Sequence, residues 1–159
     1  MKKNYKDITV IVTLYKTPKE KLNNLQNYKN YKIIIFEQEI NIDNKEYLKK
    51  KLNLDIDYYS SKKNIGLSKA SNFLLSKVKT NYCLFTQPDI LIDNKSIQNL
   101  LKVIKSKKSL IFVSPIHGND YPKINKKLNY EIKKKLNFSC VLCNVNHVNK
   151  IGFFDEDFF

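Results

Sequence analysis

Glycine is scarce in this chain of 159 residues, which contains only Gly66, Gly118 and Gly152. Two common phosphate-binding motifs, G-x-G-x-x-G and G-x-x-x-x-G-K-[ST], need several glycines at fixed spacing. Three glycines so far apart cannot form either motif. Any nucleotide must therefore be held in another way.

Arginine is absent, so all 29 basic residues are lysines, and 15 acidic residues leave a net charge of +14. This weakens a nucleic-acid interpretation, because base and phosphate contacts favour the planar guanidinium group. Lysine, asparagine and isoleucine are all abundant, as the codons of an AT-rich genome would produce. Attraction to anionic lipid or to a phosphorylated substrate is the other explanation of the charge.

Long apolar runs are also absent. None approaches the roughly 18 residues that span a bilayer. Polar residues at positions 4–7 precede a short apolar run, which is too short for a signal peptide. We expect a cytoplasmic protein, with peripheral contact to the anionic inner face of the membrane as a further option.

Cysteine is rare, and an odd number of three argues against a disulfide framework. Cys140 and Cys143 form a C-x-x-C motif, but residues 138–145 read as a strand, in which residues three apart face opposite sides. A second pair of cysteines or histidines to complete a zinc site is missing. We predict buried structural cysteines.

Predicted strands alternate with predicted helices along the chain. The strands are expected over residues 8–14, 32–37, 56–59, 82–86, 110–114 and 138–145. The helices are expected from a Thr17 cap, over 43–52, over 68–78, and after an Asp93 cap, with a lysine-rich loop and short polar helix over 119–135. This order predicts a single α/β domain over residues 1–159 with a mostly parallel sheet.

Polar residues lie at or just after the carboxyl ends of several predicted strands. An open parallel sheet binds its ligands at these ends. They are Tyr15, Glu37, Asn64 and the turn Gln87-Pro88-Asp89. Each also has an ordinary explanation, since tyrosine can end a strand and Pro-Asp is common in turns.

Four segments together resemble the family 2 glycosyltransferases of the GT-A fold, especially rhamnosyltransferase-like members. These segments are VIVTLYKT at the start, NIGLSKASN around Gly66, QPD after the strand YCLFT, and IGFFDEDFF at the end. The resemblance implies a Rossmann-like α/β/α sandwich. It also implies a chain truncated at Phe159, before the acceptor part of such enzymes and their usual acidic pair.

The resemblance implies roles for the polar residues. Tyr15 would stack on a nucleobase, and Glu37 would bond the base or its ribose. The expected donor-binding residues are Thr13, Tyr15, Glu37, Asn64, Gly66, Asn72 and Gln87. Asp89 would hold Mg²⁺ or Mn²⁺ against the diphosphate, although Gln87 replaces the first acid of the D-x-D pattern. Asp157 is the candidate catalytic base within the chain.

The leading hypothesis is therefore a glycosyltransferase of the hexosyltransferase type that acts in surface polysaccharide or glycolipid assembly. Its donor would be a UDP- or dTDP-sugar, its acceptor a saccharide or a lipid-linked molecule, and nucleic acid would not be a partner. A non-catalytic nucleotide-binding protein of the same fold is one alternative. The other is a lysine-rich nucleic-acid binder with interleaved tyrosines such as Tyr28 and Tyr31.

Overall fold

One mixed sheet organises the chain, for which the computed structural model describes residues 7–40, 44–116, 136 and 138–157. The strands are β1 (Ile8–Tyr15), β2 (Lys32–Gln38), β3 (Ile56–Ser60), β4 (Tyr82–Thr86), β5 (Phe112–Val113) and β6 (Cys140–Asn144). Their order in the sheet is β3-β2-β1-β4-β6-β5. Strands β1 to β4 are parallel, whereas β6 runs antiparallel to both β4 and β5. The predicted α/β class and mostly parallel sheet are confirmed.

The helices connect these strands. They are α1 (Lys19–Leu22), which continues as a 3₁₀ helix (Asn23–Tyr28), a π-helix (Tyr47–Lys51), α2 (Leu67–Lys77), α3 (Asn94–Ser106) and α4 (Val145–Ile151). Sequence reasoning missed α4, because VLCNV continues the apolar pattern of β6 into the first helical residue. Residue Asp43 and the segment 119–135, both part of the predicted elements, lie outside the described residues.

The helix caps divide into one confirmed prediction and one correction. The Asp93 side chain accepts a hydrogen bond from the Ser96 amide at 2.6 Å and caps α3, as predicted. Thr17 does not cap α1, because Pro18 holds the extended cap position and the helix begins one residue later. The Thr17 hydroxyl instead accepts from the Tyr15 amide at 3.3 Å, which tightens the turn after β1.

Both faces of the sheet are covered, so the fold has three layers. Alternate residues of β1 point to opposite faces, as a pleated strand requires. Val10 and Val12 belong to a buried cluster with Leu25 and Ile97, while Ile11 belongs to a second cluster with residues of α2. Within the described residues, no helix has the length and apolar character needed to cross a bilayer.

The cysteines are buried and free, as predicted from the strand pattern. Cys140 belongs to the first cluster and Cys143 to the second, so the two thiols of the C-x-x-C motif lie on opposite faces. Burial raises the pKa of Cys140 to about 11 and that of Cys83 well above its ordinary value.

These thiols are expected to resist modification in the native chain, because burial blocks access and disfavours the reactive thiolate. A disulfide reagent at mildly alkaline pH should titrate almost no thiol in buffer and all three in denaturant. Rapid labelling of the folded chain would contradict this arrangement. Added Zn²⁺ should leave the labelling unchanged.

Candidate functional site

A cleft of about 590 Å³ lies where β1, β2 and β4 end. This volume is within the usual range of small-molecule sites. The lining residues come from four separate segments of the chain: Thr13, Tyr15, Lys16, Thr17, Pro18, Lys21, Gln38, Asn64, Gly66, Leu67, Gln87, Pro88 and Asp89. The parallel pairing of β1 with β2 and β4 brings these segments together, as expected at the carboxyl edge of such a sheet.

The end of β1 contributes one wall of the cleft. Thr13 is half-buried, and Tyr15 leaves 45% of its surface exposed. Tyr15 is directly opposite Gln38 in the pairing of β1 with β2. An exposed ring at a cleft wall can stack on a flat ligand.

The end of β2 presents Gln38 to the cleft, whereas Glu37 points to the other face of the sheet. Glu37 is only 4% exposed and accepts hydrogen bonds from Asn44 Nδ2 at 2.6 Å and from the Tyr58 hydroxyl. Gln38 uses its Oε1 atom to accept from the Ile65 amide at 2.9 Å. The structure therefore does not bring Glu37 to the cleft lining.

Gln38 is a lining residue that sequence reasoning missed, although the strand pattern contained a signal for it. Ile34 and Phe36 pack on the α2 side of the sheet, while Ile33 and Ile35 pack on the opposite side. Continuing this alternation assigns Gln38 to the same side as Phe36. That is also the side on which α2 begins beside the cleft.

The loop before α2 closes the cleft with a fixed backbone. Asn64 Oδ1 accepts from the Gly66 amide at 2.9 Å, and the Ile65 amide is held by Gln38. Gly66 has φ of +85° and is the first flanking residue of α2. Other residues rarely adopt this backbone conformation, so Gly66 is needed for the entry into the helix. Asn64 and Gly66, two of the expected donor-binding residues, both line the cleft.

The turn after β4 supplies the cleft's carboxylate. The Ile90 amide donates to the Gln87 carbonyl at 3.1 Å, which closes the turn. Asn24 Nδ2 donates to the Pro88 carbonyl at 2.8 Å and ties the turn to the 3₁₀ helix. Asp89 is exposed, so a ligand in the cleft can reach it.

The oxygen atoms that the cleft offers could hold a divalent cation only together with ligands from another molecule. Asp89 offers one carboxylate and Gln87 one amide oxygen, and among the described residues no group of three metal-binding side chains occurs. Mg²⁺ commonly binds through one or two carboxylates together with phosphate oxygens. Such an ion would therefore need phosphates to complete its coordination here.

Asn72 and Asp157 do not line the cleft. Asn72 Nδ2 donates to the Phe154 carbonyl at 2.9 Å and to Glu156 Oε1 at 2.8 Å, and its Oδ1 accepts from the Phe154 amide at 3.0 Å. This side chain thus fixes the segment after α4 against α2. Asp157 is exposed, and its amide donates to Asp155 Oδ1 at 3.0 Å.

The sequence was compared with models of known protein families. The model of the family described as Glycosyl transferase family 2 matches residues 9–155. The chain belongs to glycosyl transferase family 2. A comparison with curated protein sequences found no match.

Several solved structures have a similar fold. The mannosyltransferase PcManGT from Pyrobaculum calidifontis, in complex with GDP-Man and Mn²⁺, is 14% identical with a TM-score of 0.69, over 95% of this chain and 48% of that one. S. aureus TarS 1-349 with UDP is 20% identical with a TM-score of 0.65, over 95% and 51%. The same protein with UDP-GlcNAc is 18% identical with a TM-score of 0.62, over 94% and 48%.

These likenesses confirm the predicted GT-A fold of this family 2 member. The chain spans about half the length of each of these three solved chains.

Proposed function

We propose that this family 2 chain binds a nucleotide-sugar donor in the cleft and contributes to glycosyl transfer. One observation carries the proposal: Thr13, Tyr15, Asn64, Gly66, Gln87 and Asp89, predicted separately along the sequence, all line the same cleft. Membership of the family supports the reaction class. GDP-Man and UDP-GlcNAc in the complexes of similar structures support a nucleotide-sugar ligand.

The cleft residues would contact different parts of such a donor. Tyr15 would stack on the nucleobase. Gln38, which lines the cleft, would offer its amide NH₂ to the nucleoside in place of Glu37, which lies on the other side of the sheet. Asn64 and Gly66 would lie beside the ribose and the diphosphate, where glycine permits close approach of the backbone. Thr13 and Gln87 would complete the donor contacts.

A divalent cation would bind between Asp89 and the diphosphate. Mn²⁺ in the mannosyltransferase complex supports this proposal. Such an ion neutralises charge that develops on the leaving diphosphate. The role of Asp89 is to hold the ion at the end of β4, beside the end of β1 where Tyr15 lies.

The finer assignments are also proposals. The donor is a UDP- or dTDP-sugar, the enzyme is of the hexosyltransferase type and resembles rhamnosyltransferases, and the acceptor is a saccharide or lipid-linked molecule of the cell envelope. Asp157 is the candidate base that would activate the acceptor hydroxyl. The lysine-rich surface would favour contact with an anionic membrane.

Nucleotide titration tests the proposal directly. Calorimetric titrations with UDP, dTDP and GDP in Mn²⁺ should show saturable binding of at least one nucleotide. Tyr15→Ala should weaken that binding by about 1–3 kcal/mol, the usual contribution of a base stacked on an aromatic ring. Tyr15→Phe is the matched control, because it keeps the ring and should bind nearly as the parent does.

A DNA fragment titrated at the same ionic strength separates the alternatives. Binding of DNA with strong salt dependence, and of no nucleotide, would contradict the proposal and favour a lysine-rich nucleic-acid binder. Equal affinity of the parent and Tyr15→Ala for nucleotide would show that the nucleoside does not bind against Tyr15 at the end of β1.

A further inference from the structure

An ion pair bridges the loops that follow β1 and β2 at the edge of the cleft. Lys16 and Glu39 come directly after the last residues of these strands, and their Nζ and Oε1 atoms are 3.0 Å apart. Both residues have positive φ, of 48° and 52°, so both backbones turn sharply at the end of the strand. The strand pairing of Tyr15 with Gln38 places the two loops side by side.

Lys16 also lies over the ring that would receive a nucleobase. Its Nζ atom is 5.0 Å from the centre of the Tyr15 ring, a distance typical of a cation–π contact. The ammonium group thus covers one face of the exposed ring. A base can stack on that face only after Lys16 has moved away.

The ion pair between Lys16 and Glu39 can be broken by a ligand at little cost to the stability of the fold. The Lys16 and Glu39 side chains are 53% and 35% exposed, and ion pairs this open to solvent contribute little to folding. The hydrogen bond between them raises the pKa of Lys16 and lowers that of Glu39, so both groups are charged at neutral pH. A diphosphate carries more negative charge than one carboxylate, which makes it the stronger partner for Lys16.

We propose that Lys16 binds the diphosphate of the nucleotide and that Glu39 is an internal competitor for Lys16. On binding, the ammonium group leaves Glu39 and the Tyr15 ring, which frees the ring for the base at the same time. This inference rests on the proposed function, because it assumes that a nucleoside diphosphate occupies the cleft. It assigns an affinity-determining role to two residues that line or border the site.

Replacing Glu39 tests the competition. In Glu39→Gln the Kd for UDP should fall by about two- to fivefold, the factor that corresponds to losing one exposed ion pair as a competitor. The gain should grow at low salt, since screening is weaker there. Lys16→Gln should raise the Kd, and adding Glu39→Gln to Lys16→Gln should then change nothing.

A control must separate this local competition from the general effect of removing a negative charge. Asp7→Asn does so, because Asp7 forms an ion pair with Lys105 at 2.8 Å, of similar exposure, at the opposite end of β1. Its affinity for UDP should equal that of the parent.

Three results would overturn the inference: an unchanged Kd in Glu39→Gln, an equal gain in Asp7→Asn, or a gain that persists in the Lys16→Gln background. If the parent binds UDP while one of these results is obtained, the inference fails and the proposed function stands. If the parent binds no nucleoside diphosphate, both fail together.

Discussion

Asp89→Ala is expected to weaken UDP binding in the presence of Mn²⁺ by on the order of 10- to 100-fold. The estimate corresponds to about 1.5–3 kcal/mol, the usual contribution of one interaction with a charged group. Asp89 is the carboxylate among the described lining residues of the cleft, so nothing else there replaces its charge on the cation. In EDTA the variant and the parent should bind UDP with similar affinity.

Calorimetric titration of both proteins in Mn²⁺ and in EDTA measures this difference. Asp55→Ala is the matched control, because Asp55 is an exposed carboxylate that precedes β3, at the end of the parallel strands remote from the cleft. Its affinity for UDP should not depend on the substitution in either condition. A loss of affinity in Asp89→Ala that persists in EDTA would show that Asp89 acts without a metal.

The sheet was predictable because its strands carry a strong and simple pattern. Buried parallel strands need apolar and β-branched residues on both faces. The segments KIIIFE and ITVIV have this composition, which favours a buried strand over other structures. The short β5 was predicted too long, since LIFVS is apolar but only two of its residues pair with β6. Helix α4 was missed because the turn from strand to helix occurs inside one apolar run.

The cleft was predictable where a residue's position depends only on the end of a strand. Tyr15 is the last residue of β1, and Gln87 and Asp89 lie in the turn after β4. The carboxyl ends of neighbouring parallel strands must meet at one edge of the sheet. Asn72 differs because it lies in the second turn of α2, and what it contacts depends on how a segment 82 residues later folds back. No local pattern contains that information.

The difference between Glu37 and Gln38 shows what decides the side of a strand. Both residues are polar and adjacent, and the family resemblance favoured the acidic one. The structure places Glu37 on the side of the sheet away from the cleft, where the buried Asn44 side chain and the half-buried Tyr58 hydroxyl both donate to it. A buried amide such as that of Asn44 needs an acceptor. For these two residues, the side of the strand on which each side chain lies indicates its role better than its charge does.

Glu37→Ala is accordingly expected to lower the free energy of unfolding by about 2–4 kcal/mol. The carboxylate accepts two hydrogen bonds in a buried position, and its removal leaves the buried Asn44 amide without this acceptor. Buried polar groups left without a partner cost about 1–3 kcal/mol each. Urea denaturation followed by circular dichroism measures the loss.

Glu39→Ala is the matched control for this experiment, because Glu39 is only two residues away, carries the same charge and lies in an exposed ion pair. Its unfolding free energy should change by less than about 0.5 kcal/mol. Glu37→Gln keeps an acceptor for Asn44, so it should fold and be intermediate in stability. If Glu37→Gln instead kept the parent's stability and lost nucleotide affinity, Glu37 would contact the ligand, as the resemblance implied, and its partners Asn44 and Tyr58 would have to release it.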